Sequence, residues 1–263
     1  MTPPVIDAHV HAWPRWPYPP SVQPPADARA ERLVALMDRA GVERAVLVGA
    51  QITHNEDNNA YLFAARSRFP DRLAVFPDHD SYWSPPDPAP PLDRLAALAR
   101  HGIAGISVYL GDDENGDRLL DPRRDAAFAH AAGHGIAVGL GMRPWHAPAV
   151  RRLTERHPTL TVLGHHLGGI KARFAMEIGD QLDAVVSLAD RPNLLLKLSG
   201  LDYLGRHAGR VVAELRDAYG PERLCWGSNW PVTAATPDIA RAPADEPIRY
   251  STMARLLRLP EGR

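Results

Sequence analysis

Val5-Ile6-Asp7-Ala8-His9-Val10-His11 is a short apolar run carrying two histidines one residue apart. Successive side chains of a strand point to opposite faces, so a regular strand puts Ile6, Ala8 and Val10 on one side and Asp7, His9 and His11 on the other. One face is greasy and the other carries chemistry. Such a strand suits a barrel whose outside is covered by helices and whose active site opens at one end. Two imidazoles roughly 7 Å apart at their Cα atoms can converge on one metal ion or one substrate oxygen.

The chain beyond this strand alternates strand-like and helix-like segments. Trp13 to Asp27 is thick with proline and reads as a long loop over the strand's C-terminal end. Ala28 to Ala40 has apolar residues at helical spacing and stops at Gly41, a C-cap signal. Arg44–Val48, Leu73–Phe76, Gly105–Leu110, Gly135–Gly141, Thr161–Gly164, Leu194–Leu198 and Leu224–Trp226 read as further buried strands. Between them, helical patterns run from Asp57 to Phe69, Leu92 to His101, Pro122 to Gly133, Ala147 to His157, Asp180 to Asp190 and Ala208 to Tyr219. Alternating βα units of this length predict an α/β fold with parallel strands, and eight of them predict a closed TIM (β/α)8 barrel. An open doubly wound sheet is the rival, but it usually shows a glycine-rich phosphate turn after its first strand, and Trp13-Pro14-Arg15 is not one. Ser84 to Pro91, a second proline-rich loop, reads as a rim element.

The 263 residues fit one domain spanning positions 1–263. Lys and Arg number 30 against 31 Asp and Glu, a net charge of -1. That balance offers no bulk attraction to nucleic acid or to an anionic membrane, so the expected partner is a small-molecule substrate. A lone cysteine, Cys225, excludes an internal disulfide framework and fits a reducing compartment. No leader segment or bilayer-length apolar run is evident, and the expected location is cytoplasmic. Self-association into a homo-oligomer is left open.

In a barrel of this kind the C-terminal strand ends carry the chemistry. Read in order they offer His9 and His11, Gln51 with His54, Asp78 and Asp80, Tyr109, Arg143 with His146, His165 and His166, Lys197 and Ser199, and Ser228 with Asn229. Taken singly, Gln51, His54, His79, His146 and Tyr109 are most simply hydrogen-bonded loop side chains. Strand alternation allows only one of His165 and His166 to point inward. Lys197 and Ser199 share a face, and a buried lysine needs an anionic partner, either a substrate carboxylate or a neighbouring aspartate.

Ile6-Asp7-Ala8-His9-Val10-His11, Asp57-Asn58-Asn59, Phe69-Pro70-Asp71-Arg72-Leu73, His166-Leu167-Gly168-Gly169, Lys197-Leu198-Ser199-Gly200 and Gly220-Pro221-Glu222-Arg223-Leu224-Cys225-Trp226-Gly227-Ser228-Asn229-Trp230-Pro231 together resemble the amidohydrolase-2 branch of the amidohydrolase superfamily. The pieces run in family order along almost the whole chain. The resemblance implies a TIM barrel and a lactonase-like, decarboxylase-like or hydratase-like activity. It implies His9, His11 and His166 as the ligands of one divalent metal ion, zinc, or as metal-independent groups that polarise a lactone carbonyl. Relatives place an aspartate at the end of strand eight, where this chain has Asn229. An amide cannot take a proton at neutral pH. Strand five also lacks the histidine of zinc-dependent relatives and shows Gly139-Leu140-Gly141-Met142-Arg143 instead. Relatives tend to continue into a further helix, so a shortened C-terminal helix is expected from Arg249 to Leu259.

The leading expectation is a hydrolase of a carboxylated or hydroxylated lactone or ester. His9, His11 and His166 then stabilise the oxyanion, Arg143, Lys197, Tyr109 and Ser199 bind substrate, and Asp80 or His166 replaces the missing base. A non-catalytic binding protein on the same scaffold and a zinc-dependent decarboxylase are the rival readings. Substrate specificity is expected in the loops Trp13 to Asp27, Ser84 to Pro91 and the stretch after Trp230.

Overall fold

A computed structural model describes residues 4–18, 27–112, 115–232 and 242–260. Parts of two loops expected to set specificity, 19–26 and 233–241, lie outside these residues. Strands β1 (Ile6–Val10), β2 (Arg44–Val48), β3 (Leu73–Phe76), β4 (Gly105–Tyr109), β5 (Ala137–Gly141), β6 (Val162–Gly164), β7 (Leu194–Leu198) and β8 (Leu224–Trp226) are parallel wherever they pair. They alternate with helices α1 (Ala30–Ala40), α2 (Asn58–Arg68), α3 (Pro91–Ala99), α4 (Pro122–His134), α5 (Ala147–Arg156), α6 (Ile178–Val186) and α7 (Ala208–Tyr219). Helix α8 (Thr252–Leu256) follows the last strand.

The ladders run β1-β2-β3 and β4-β5-β6-β7-β8. Two seams join them. Past the end of β3, His79 N–H donates to Ser107 O and Ser107 N–H donates to Pro77 O, both at 2.8 Å. Past the end of β8, Asn229 N–H donates to His9 O and His11 N–H to Trp230 O, again at 2.8 Å. The result is the α/β TIM barrel that the alternating pattern predicts, with backbone groups satisfied across both seams.

Two apolar clusters follow the pleat. Ala45, Leu47, Val75, Val108, Val138, Leu194 and Leu196 face the helices, whereas Val46, Val48, Phe76, Leu163, Leu195 and Cys225 fill the barrel. Met253 and Ala254 of the short C-terminal helix join the interior cluster, and Thr252 Oγ1 donates to Glu222 O at 3.2 Å. The C-terminal segment therefore plugs the barrel beside β8 and β1. Element boundaries shift by a few residues from the sequence reading, and one shift has a clear cause: Gly135 is not strand but the left-handed cap of α4 (φ 60), its N–H bonded to Ala131 and Ala132 carbonyls. Among the described residues no helix is long and apolar enough to cross a membrane.

Candidate active site

The first strand is not regular. Its pairing moves from Asp7↔Ala45 to Val10↔Leu47, so β1 uses three residues where β2 uses two. This bulge breaks the alternation expected for Asp7, His9 and His11. Ile6 and Ala8 fall in the interior cluster and Val10 in the outer one. Asp7 Oδ1 accepts from His9 N–H and Ser228 N–H, each at 3.0 Å, and so ties the strand to the β8 end. Bulges commonly re-aim side chains beside active sites. Here the bulge brings His9 Nε2 to 3.1 Å from His11 Nε2. His11 Nδ1 lies 2.8 Å from Val48 O; a carbonyl only accepts, so Nδ1 carries the proton and Nε2 is bare. The His9 nitrogen facing it is then the donor.

A second departure from alternation lies after β6. His166, Leu167, Gly168 and Gly169 all have positive φ, between 50 and 84°. This left-handed turn costs about 1 kcal/mol or more at each non-glycine residue, strain typical of functional sites. It rotates His166 back toward the barrel that His165 already faces. The expectation that one of the two points away is therefore corrected: the His165 ring lies 4.6 Å and the His166 ring 4.5 Å from that of His9. Space for His165 comes from β5. A Cβ on Gly139 would stand 2.6 Å from His165 Nε2 and 3.1 Å from Ile106 O. The strand that lacks a histidine thus makes room for one supplied by its neighbour. Gly139→Ala should lose about 1–3 kcal/mol of stability by overpacking, read as a lowered midpoint in urea.

Around this imidazole cluster stand groups from β7, β8 and their loops. Ser199 Oγ is 2.9 Å from His166 Nδ1. Asn229, at φ 59, donates from Nδ2 to Tyr203 Oη at 3.3 Å. The His166 and Tyr203 rings are 5.8 Å apart, and Lys171 Nζ lies 4.5 Å from the Tyr203 ring. Arg143 is held by Asp112 and stacks 5.7 Å over Phe174. Tyr109 packs its ring 5.2 Å from His165. Lys197 is fully buried, its Nζ 5.4 Å from the Phe76 ring and without a hydrogen-bond partner. His165, which strand alternation set aside, and Lys171 and Tyr203, which were not singled out, complete the cluster. The Gly168-Gly169 pair, which permits the left-handed turn, was the one signal for the first.

Asp80 sits elsewhere. Its carboxylate pairs with Arg94 at 3.0 Å and with Arg124, and it lines a cleft of about 1180 Å³ beside the end of β3. None of the four clustered imidazoles contributes to that cleft. Asp78 is likewise committed: its oxygens accept from Ser84 Oγ, Trp83 Nε1 and Gln51 N–H at 2.8–2.9 Å. The base role expected for Asp80 does not match this position, because both its oxygens are engaged by guanidinium groups. His79 and His146 take the bland roles expected of them, His79 Nε2 bonding Pro91 O and His146 Nδ1 accepting from Arg143 N–H.

Burial governs the ionisation of the site. Desolvation pushes His11 down to about 4, and it lowers His9, His165 and His166 well below the ordinary imidazole value. Nearby positive charge adds to this, Lys197 at His165 and Lys171 at His166. All four rings are neutral at pH 7. Burial also raises Asp7 to about 6 and lowers both Lys171 and Lys197 to about 8.

The donor set can be tested against zinc. Two imidazole nitrogens on one tetrahedral zinc stand about 3.3 Å apart, close to the 3.1 Å between His9 and His11. His11 also has the outer hydrogen bond that fixes a ligating imidazole, whereas His9 Nδ1 has no partner. No three His, Cys, Asp or Glu side chains among the described residues gather in a metal-holding group, and the strand-eight carboxylate is replaced by Asn229. The residues therefore offer one edge of a zinc site and do not complete it.

The sequence profile of the amidohydrolase family matches residues 6–255. An L-fucono-1,5-lactonase of Burkholderia ambifaria is 31% identical over 246 residues, covering 87% of this chain and 80% of the relative. A D-galactarolactone isomerase of Agrobacterium fabrum is 34% identical over 133 residues, 43% of this chain and 41% of that one. A Burkholderia multivorans amidohydrolase solved with bound zinc superposes with a TM-score of 0.77 at 24% identity, over 97% of this chain and 99% of the other. Histidines, barrel and profile agree, and the chain belongs to the amidohydrolase family.

Proposed function

We propose that this chain hydrolyses the lactone of a hydroxylated sugar acid. The observation that carries the reading is the packing of four neutral imidazoles at the barrel mouth, with cations beside and beneath them. The lactonase that is similar over most of the chain supports the choice of substrate. His166 is the base. Its Nδ1 faces Ser199 Oγ, which can accept the Nδ1 proton and leave Nε2 bare. Water loses a proton to that nitrogen as its oxygen bonds to the acyl carbon. The ring C–O bond then breaks, and the same proton passes to the departing alkoxide, giving an open-chain hydroxy acid. The positive charge of Lys197, beneath the rings, stabilises the oxyanion.

On this reading proton transfer falls to imidazole, and the incomplete zinc edge supports it. Hydrolysis of a sugar-lactone panel, followed by proton release, should survive treatment with a chelator. Activity that disappears on chelation and returns with zinc would overturn the metal-free reading. A silent wild type beside an active Asn229→Asp variant would overturn native hydrolysis altogether.

A further inference from the structure

Three cations crowd one edge of the mouth. Arg143, Lys171 and Arg173 lie 5.7, 6.0 and 5.6 Å from the centroid of the Phe174 ring. Asp112 is the one carboxylate among the described residues that pairs with any of them, contacting Arg143 and, at 3.9 Å, Arg173. Lys171 forms no ion pair among the described residues, although it is half-buried. Its ammonium instead rests 4.5 Å from the Tyr203 ring, which also packs 5.8 Å from His166. An unpaired ammonium is therefore fixed one aromatic ring away from the proposed base. Lys197, the other candidate for an anionic group, is fully buried.

We propose that Lys171, with Arg143 and Arg173, recognises a free carboxylate on the substrate, which makes the substrate the lactone of a sugar diacid. The inference rests on the lactone-hydrolase reading of the same site. The charge count selects a monoanion: Asp112 offsets Arg143, Arg173 is 68% exposed and screened by water, and Lys171 is left as one partly desolvated positive charge. A bound carboxylate at Lys171 places the rest of a small ring across Tyr203 toward His166. Charge-assisted hydrogen bonds to a carboxylate are about twice as strong as neutral ones, so the site discriminates against a hydroxymethyl group in the same place.

The test compares D-glucaro-1,4-lactone with D-glucono-1,4-lactone, which share a ring and differ in a terminal carboxylate against a hydroxymethyl group. The wild type should show a kcat/KM at least about tenfold higher for the glucarolactone, equivalent to roughly 1.4 kcal/mol. Lys171→Met should erase that preference and Lys171→Arg should keep most of it. A preference for the gluconolactone, or one that Lys171→Met leaves intact, overturns the inference while lactone hydrolysis stands. Turnover of neither compound counts against the hydrolase reading alone. Calorimetric binding of the same two lactones then decides the carboxylate site: tighter binding of the glucarolactone that Lys171→Met abolishes supports it, and equal binding overturns it.

Discussion

His166→Asn is expected to lower kcat/KM for lactone hydrolysis by about a thousandfold while leaving the fold intact. Proton transfer by a positioned side chain contributes about 10²–10⁴ in rate, and a thousandfold loss corresponds to roughly 4 kcal/mol of transition-state stabilisation. Asparagine is the informative replacement because position 166 has φ 50, a region asparagine enters more readily than most residues. It keeps a polar group beside Ser199 and removes only the ability to take a proton. Ser199→Ala separates orientation from proton transfer. The Oγ contact at 2.9 Å fixes the ring, so its loss should cost kcat about tenfold with little change in KM. Near-normal turnover by His166→Asn would assign the base elsewhere, with His165 next because neither of its ring nitrogens has a hydrogen-bond partner.

The barrel was legible in the sequence because its signals are periodic. Strand and helix runs alternate from Arg44 to Trp226, and buried parallel strands read as continuous apolar segments. The site was legible only as far as that periodicity extends. His9 and His11 stand out as a pair on a strand, yet the bulge between Asp7 and Val10, which sets their direction, leaves no mark in residue type. His165 was set aside by an alternation rule that ends at Gly164, where the backbone enters a left-handed turn. Lys171 and Tyr203 come from loop segments after β6 and β7, and nothing in their local spacing separates them from solvated surface residues. The glycines of β5 looked like a lost ligand. In three dimensions Gly139 is the space in which His165 sits.

Three buried imidazoles and the partly buried His166 make the protein acid-labile, and one buried carboxyl works against them. His11 titrates at about 4 in the folded chain against 6.5 for a free imidazole. Between those values the unfolded chain binds the extra proton, so the contribution of His11 is full above pH 6.5 and is lost as pH falls toward 4. That single group accounts for about 3 kcal/mol. His9, His165 and His166, lowered well below 6.5, act in the same direction. Asp7 has the opposite sign: raised from 3.8 to about 6, it holds its proton in the folded state through that window. Its contribution is present below pH 3.8 and disappears as pH rises through 6, and its size of about 3 kcal/mol roughly cancels that of one imidazole. Three imidazoles remain unopposed, so the unfolding free energy should fall by at least about 3 kcal/mol between pH 7 and 4. Urea titrations at each pH, with chelator present to keep adventitious metal off the ring nitrogens, measure this directly. Asp7→Asn retains an oxygen for the His9 and Ser228 N–H groups and removes the opposing proton, so its profile should fall more steeply than that of the wild type. His165→Phe removes one titrating ring from an interior site and should flatten the profile. A wild-type profile that is level from pH 7 to 4, or an Asp7→Asn profile parallel to it, would show that these rings are not held neutral by burial.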